Sequence, residues 1–171
     1  SLPQLDNLIY LDCSGCINLT SLPQLDNLTV LLCNHCPNLT SLPQLDKLTK
    51  LYCRICPNLT SLPQFNNLTE LFCSYCTSLT SLPQLDNLTV LLCSYCTSLT
   101  SLPQLDSLNE LYYGNCPNLL EKNIGYLPKM KLEKNIMYEN LRVLKPLTEI
   151  KLGEYSGFNR DLLSMVEKFL V

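Results

Sequence analysis

The chain repeats itself with a fixed period of twenty and no insertion. Phrases begin at Ser1, Ser21, Ser41, Ser61, Ser81 and Ser101, and five of the six open Ser-Leu-Pro-Gln-Leu-Asp; the fourth departs at Phe65 and Asn66. A fixed period of this length marks each repeat as one supersecondary unit whose apolar face is completed by its neighbours, which makes the fold a solenoid. With each coil numbered 1 to 20 from its Ser, apolar residues recur at positions 2, 5, 8, 11, 13, 16 and 19, as in Leu82, Leu85, Leu88, Leu91, Cys93, Cys96 and Leu99. A lone coil should not fold, because ordering its backbone costs more than burying its few leucines returns. Stacking changes that balance by adding a parallel backbone ladder at about 4.8 Å per coil and covering both flat faces of the Leu and Cys layer.

Within a coil, the period-two placement of positions 11 and 13 and residues such as Thr89 and Val90 predict a short strand near positions 9–13. Pro3, Pro23, Pro43, Pro63, Pro83 and Pro103 lack an N–H and disfavour helix, so the return path is expected to be extended. The phrase Leu-x-x-Leu-x-Cys-x-x-Cys-x-x-Leu, as in Leu28 to Leu39 or Leu88 to Leu99, resembles the leucine-rich repeat. The short period and the Leu-Pro phrase resemble the 20-residue repeats of secreted bacterial effectors of the YopM and IpaH type. The cysteine-bearing variant is similar to repeats of giant viruses of amoebae. Effector repeats usually carry Asn at position 16, where this chain carries Cys. The resemblance covers residues 1–120. It implies an α/β-type solenoid: a right-handed superhelix with a parallel sheet on its concave face, an irregular or extended convex side and a C-terminal cap.

After Leu120 the phrase decays and charge rises: residues 1–120 carry 3 Lys+Arg and 8 Asp+Glu, whereas residues 121–171 carry 9 and 7. Residues 1–120 thus read as six repeats, and residues 121–171 as a degenerate repeat and capping segment. Leu144 to Leu152 alternates like a strand, and Leu162, Leu163, Val166, Phe169 and Leu170 share one face of a helix expected near 159–170. In IpaH-type ligases a catalytic Cys lies in a large C-terminal domain. No Cys follows Cys116 here, so that activity is not expected.

The 11 cysteines form five C-x-x-C pairs, Cys13/Cys16 through Cys93/Cys96, with Tyr113 and Cys116 in the sixth coil. Two such pairs in isolation would signal a zinc site of four thiolates. In phase with the period, they read instead as two core columns of small, buried, reduced thiols. That reading implies a reducing compartment, the cytoplasm, including that of a host cell. A zinc-binding protein that uses the C-x-x-C pairs as four-thiolate sites is the alternative. The repeated Asp6, Asp26, Asp46, Asp86 and Asp106 are expected to bond local backbone N–H groups in a turn. The Asn-x-Thr sequons follow from the repeat and argue weakly for glycosylation.

Ser1 opens directly into a repeat phrase without an initiator Met, which suggests a piece of a longer chain. No run of 18 apolar residues predicts a membrane span, and the sparse, mildly acidic charge of the repeats is a poor surface for nucleic acid. With one His, no Trp and no nucleophile–base pair in the sequence, no enzyme, cofactor or small-molecule substrate is expected. Repeats differ mainly at positions 10, 12, 14 and 15, and positions 10, 12 and 14 should project from the concave side. Position 12 runs Asp12, Leu32, Tyr52, Phe72, Leu92, Tyr112; position 10 runs Tyr10, Val30, Lys50, Glu70, Val90, Glu110; position 15 adds His35, Ile55, Tyr75 and Tyr95. An exposed apolar and aromatic ridge marks a protein-partner site. The expected contact set is Val30, Leu32, Lys50, Tyr52, Arg54, Glu70, Phe72, Tyr75, Val90, Leu92, Tyr95 and Tyr112, with Lys50, Arg54 and Glu70 setting polarity and register. The expected function is a non-enzymatic protein-binding module, the receptor arm of a larger adaptor or effector.

Overall fold

A computed structural model describes residues 7–119 and 131–132. All of them fall in the first of the two units into which the chain divides, Ser1–Ile136 and Met137–Val171. The strand expected at Leu144 to Leu152 and the helix near 159–170 lie outside the described residues.

Each coil contributes one short strand: β1 Tyr10–Asp12, β2 Val30–Leu32, β3 Lys50–Tyr52, β4 Glu70–Phe72, β5 Val90–Leu92, β6 Glu110–Tyr112, followed by β7 Lys131–Leu132. They form one sheet in the order β1-β2-β3-β4-β5-β6-β7, every pairing parallel. Tyr10 pairs with Val30, Val30 with Lys50 and so on to Glu110, so the sequence period is also the sheet register. The last step is longer by a single residue, pairing Glu110 with Lys131 and Leu111 with Leu132. The sheet therefore continues past the last recognisable phrase. Its only sequence signal is the alternation Met130-Lys131-Leu132. The protein is thus a parallel β-solenoid whose coils follow the sequence period, and no helix occurs among the described residues.

The strands span positions 10–12, narrower than the expected 9–13, but coil-to-coil bonding runs beyond them. The N–H groups of Thr49 and Lys50 both donate to the carbonyl of Thr29, at 2.8 and 3.2 Å, and Cys53 N–H donates to the carbonyl of Phe72 in the next coil at 2.8 Å. The inward columns bury as the pattern requires: Leu28, Leu48, Leu68 and Leu88 at position 8 and Leu31, Leu51, Leu71 and Leu91 at position 11 are fully enclosed. Phe65 takes the position-5 core slot that leucine fills in neighbouring coils.

Side-chain ladders hold the irregular parts of each coil. Threonine hydroxyls at position 9 donate to the position-9 carbonyl of the coil before, Thr49 to Thr29 at 3.0 Å and Thr69 to Thr49 at 3.0 Å. Gln24, Gln44, Gln64 and Gln84 each donate Nε2 to the backbone carbonyl of the next coil's Gln. The same Nε2 reaches the Asp two positions on, Gln44 to Asp46 at 2.9 Å and Gln84 to Asp86 at 2.8 Å. The Asp column is therefore held by glutamine side chains, where backbone N–H groups were expected. Gln reaches the carboxylate because both project from the same exposed edge. Sequon asparagines are likewise engaged: Asn67 and Asn87 donate to the carbonyls of Asp46 and Asn66.

Position 15 turns the chain. Gly15, His35, Ile55, Tyr75, Tyr95 and Asn115 all have positive φ, between 54° and 75°. The geometry aims the N–H of the first five along the stack: Gly15 donates to the Asn34 carbonyl at 2.8 Å, and Ile55 to that of Ser74 at 2.9 Å. A left-handed conformation costs an L-residue roughly 1–2 kcal/mol, and β-branched Ile55 bears it most unfavourably. A Cβ added at Gly15 would meet no atom within 4 Å, so substitution there reports the backbone alone. Gly15→Val is expected to lower unfolding free energy by about 1–2 kcal/mol, and Gly15→Asn by less than half of that; urea denaturation of the pair against the parent chain measures both.

Candidate functional site

Because the strands stack in register, the variable positions form columns along the outer face of the sheet. At its centre, the Glu70 carboxylate is held from two sides: Lys50 Nζ lies 2.9 Å from Oε1, and the Tyr52 hydroxyl donates to Oε2 at 2.6 Å. All three residues are on β3 and β4, where the register sets Lys50 opposite Glu70 and Tyr52 opposite Phe72. The Tyr52 and Phe72 rings lie 4.6 Å apart, tilted by 41°. In the position-15 column, the Tyr75 and Tyr95 rings stack at 4.4 Å and 7°.

Exposure divides the expected contact set. Val30, Lys50, Tyr52, Glu70, Tyr75, Val90, Tyr95 and Tyr112 are half-buried. Leu32, Arg54, Phe72 and Leu92 are buried, Leu92 completely at 0% exposure, which corrects the expectation of a continuous exposed ridge at position 12. Part of the cause is the register itself: Leu92 is flanked by Phe72 and Tyr112 on the adjoining strands, and Phe72 by Tyr52 and Leu92, so the residues of the column shield one another. Position 14 shows the same effect, with Ser74 and Ser94 buried and Arg54 between Asn34 and Ser74. Arg54 N–H also donates to Asn34 Oδ1 at 3.0 Å.

His35 is exposed, and partial desolvation by its neighbours, together with the nearby Arg54 guanidinium, pulls its imidazole below the usual 6.5. His35 is the protein's sole histidine. It sits in the same left-handed turn as Ile55, Tyr75 and Tyr95. The column at position 15 therefore combines an expensive backbone with large or polar side chains. Strand alternation sets these residues at the strand edge and carries no sign of the strain; its one signal in the sequence is Gly15 and Asn115, the residue types most at ease there.

The cysteines make a second arrangement, inside the coils. None of the eleven is in a disulfide, and all but Cys16 are buried. Each position-16 thiol from Cys36 onward donates to the position-13 carbonyl of the preceding coil, as Cys56 does to Cys33 at 3.1 Å and Cys76 to Cys53 at 3.0 Å. The thiol thus ties its own coil to the backbone of the one before, a task for which an amide side chain is the obvious alternative. Hydrogen bonding to Cys76 and burial push Cys53 well above the ordinary thiol value; hydrogen bonding to Cys96 and burial do the same to Cys73. Cys56, against Cys33 and Cys36, is also raised. Cys36 moves down to about 3, and Cys76 moves down, through hydrogen bonds from Cys13 and Cys53 respectively. Among the described residues no group of three or more His, Cys, Asp or Glu side chains is arranged to hold a metal ion, so the four-thiolate zinc alternative finds no site there.

Comparison with protein-family models, with curated proteins and with solved structures returns no match for the chain.

The lone imidazole allows a clean electrostatic measurement. Its NMR titration midpoint is expected below 6.5, and Arg54→Leu is expected to move it upward. A base whose pKa is lowered on folding binds more protons when unfolded, so stability falls as pH drops through the unfolded value. His35→Asn should therefore flatten the fall in melting temperature between about pH 7 and pH 5.5.

Proposed function

We propose that this solenoid is a non-enzymatic, leucine-rich-repeat-type protein-binding module, working in a reducing compartment such as the cytoplasm as the receptor arm of a larger assembly. One observation carries the reading. Position 15 needs a left-handed backbone in every described coil, which Gly or Asn supplies at least cost, yet the four middle coils place His35, Ile55, Tyr75 and Tyr95 there. Strain of this kind is retained where the side chain serves something other than the fold. Stacked Tyr75 and Tyr95 offer rigid, amphipathic rings of the sort that dominate protein interfaces.

On this reading the contact surface centres on position 15 and the half-buried neighbours Lys50, Tyr52, Glu70, Val90 and Tyr112. Leu32, Phe72 and Leu92 are too buried to meet a partner, and Phe72 holds the Tyr52 ring beside it. The Lys50–Glu70 pair, tied further by Tyr52, presents an ordered polar group that gives the partner register more than affinity. The sparse charge of the repeats speaks for a protein partner over a polyanion.

Tyr75→Asn combined with Tyr95→Asn tests the assignment, because Asn tolerates the left-handed turn. The double variant is expected to keep or raise the melting temperature and to lose a protein retained by the parent chain from cell lysate, with affinity falling by about 30-fold, the scale of an interface hot spot. Undiminished retention by a folded double variant would remove position 15 from the site.

A further inference from the structure

Two pairs of aromatic rings meet across neighbouring coils. Tyr52 lies against Phe72, and Tyr75 against Tyr95, so the second pair brings two phenols together. Its ring centroids are 4.4 Å apart and its planes within 7° of parallel. Both residues occupy position 15 of their coils, with φ of 65° and 61°, so equivalent turns launch the two side chains in the same direction. Those turns are pinned to one another: Tyr75 N–H donates to the carbonyl of Ser94 at 2.9 Å, and Tyr95 N–H to that of Gly114 at 2.8 Å. The step between them is one coil, about 4.8 Å. Corresponding ring carbons, those ortho to the hydroxyls among them, therefore face each other across the stack. Neither ring is enclosed; both are half-buried and border solvent.

We propose that Tyr75 and Tyr95 form an oxidative modification site, which closes as a dityrosine within the chain when a haem peroxidase with hydrogen peroxide, or another one-electron oxidant, acts on it. Each phenol gives up one electron to the oxidant and its hydroxyl proton to solvent, leaving a phenoxyl radical. The two radicals couple through an ortho carbon of each ring, and one carbon–carbon bond forms. The hydrogen on each coupled carbon then leaves as a proton while a proton from solvent returns to each oxygen, restoring two phenols. Two tyrosines lose two electrons and two protons in all, and one hydrogen peroxide takes them up to become two waters.

The fold supplies what the coupling needs. Radicals held face to face by two hydrogen-bonded turns react as parts of one molecule, at an effective concentration far above that of separate chains in dilute solution. The competing sinks are shielded. Cys76 and Cys96, next in sequence to the two tyrosines, are fully enclosed, with their thiols turned to the carbonyls of Cys53 and Cys73 in the coil before. Cys16 is the exposed thiol and can be alkylated in the folded chain. Tyr52 has a phenylalanine beside it and so lacks a second phenol at that contact. The new bond would staple the fourth coil to the fifth and close a loop of one repeat, which narrows the unfolded ensemble and raises stability.

The test treats the full chain, alkylated at Cys16 with N-ethylmaleimide, with a haem peroxidase and hydrogen peroxide, reads dityrosine fluorescence, and maps linked peptides by mass spectrometry after pepsin digestion. Expected are a Tyr75–Tyr95 link whose yield does not change with chain concentration, a monomeric band on a denaturing gel, an unchanged far-UV circular dichroism spectrum and a raised melting temperature. Tyr75→Phe keeps a ring in the stack and removes one phenol, so it is expected to keep the folded spectrum and lose the link and most of the fluorescence. Tyr52→Phe is expected to retain both. Absence of a link in the folded parent chain, a dominant link between chains or between other tyrosines, or undiminished fluorescence in Tyr75→Phe each overturns the proposal.

Discussion

The backbone hydrogen bond between successive coils is the interaction on which everything else depends. It fixes the rise of the stack, and with it the distance at which every side chain meets its own counterpart. Strands this short would be poor structures alone. They persist because the ladder runs on beyond them, through the threonine hydroxyls before the strand, the position-13 N–H after it and the left-handed turn that follows. Gln and Asn amides then carry bonding into segments where Pro and tight turns leave the main chain without regular partners. Polar atoms that a short, irregular coil would otherwise strand are satisfied by the next one.

Strict register also imposes a penalty, because it sets like beside like. An Asp column on one edge places carboxylates a strand spacing apart, and the chain moderates this with a glutamine amide against most of them and with Asn66 in the fourth coil. On the outer face the sequence breaks the repetition outright: Lys50 meets Glu70, and Val30 and Val90 stand on either side of that pair. Apolar columns face no such conflict. Leucine against leucine and thiol against carbonyl repeat freely, which is why the core columns are nearly invariant and the outer ones are not.

Much of the fold was legible because period and register coincide: the solenoid, the parallel pairing, the inward columns and the buried thiols follow from the spacing of Leu and Cys. What escaped was set by geometry that composition does not encode. Arg54 and Leu92 read as outward residues from strand alternation, and so they are, but flanking columns close over them. The left-handed turn was hidden by residues that avoid it, His35, Ile55, Tyr75 and Tyr95, and was betrayed only by Gly15 and Asn115. β7 was missed because its step is longer than the period and its phrase has eroded. The direction of the thiol contacts, to the coil before and not along the C-x-x-C, depends on how one coil sits against the next.

A register that steps by one repeat each time has a genetic corollary. Any coil presents to its successor the same set of donors, acceptors and apolar surfaces that it receives from its predecessor, so one whole repeat can be duplicated or excised in frame without leaving a mismatched seam. Unequal recombination between such near-identical stretches would lengthen or shorten the outer face in discrete steps and bring formerly distant side chains side by side. For a protein built this way, new surfaces arise by shuffling whole coils faster than by accumulating point changes within one.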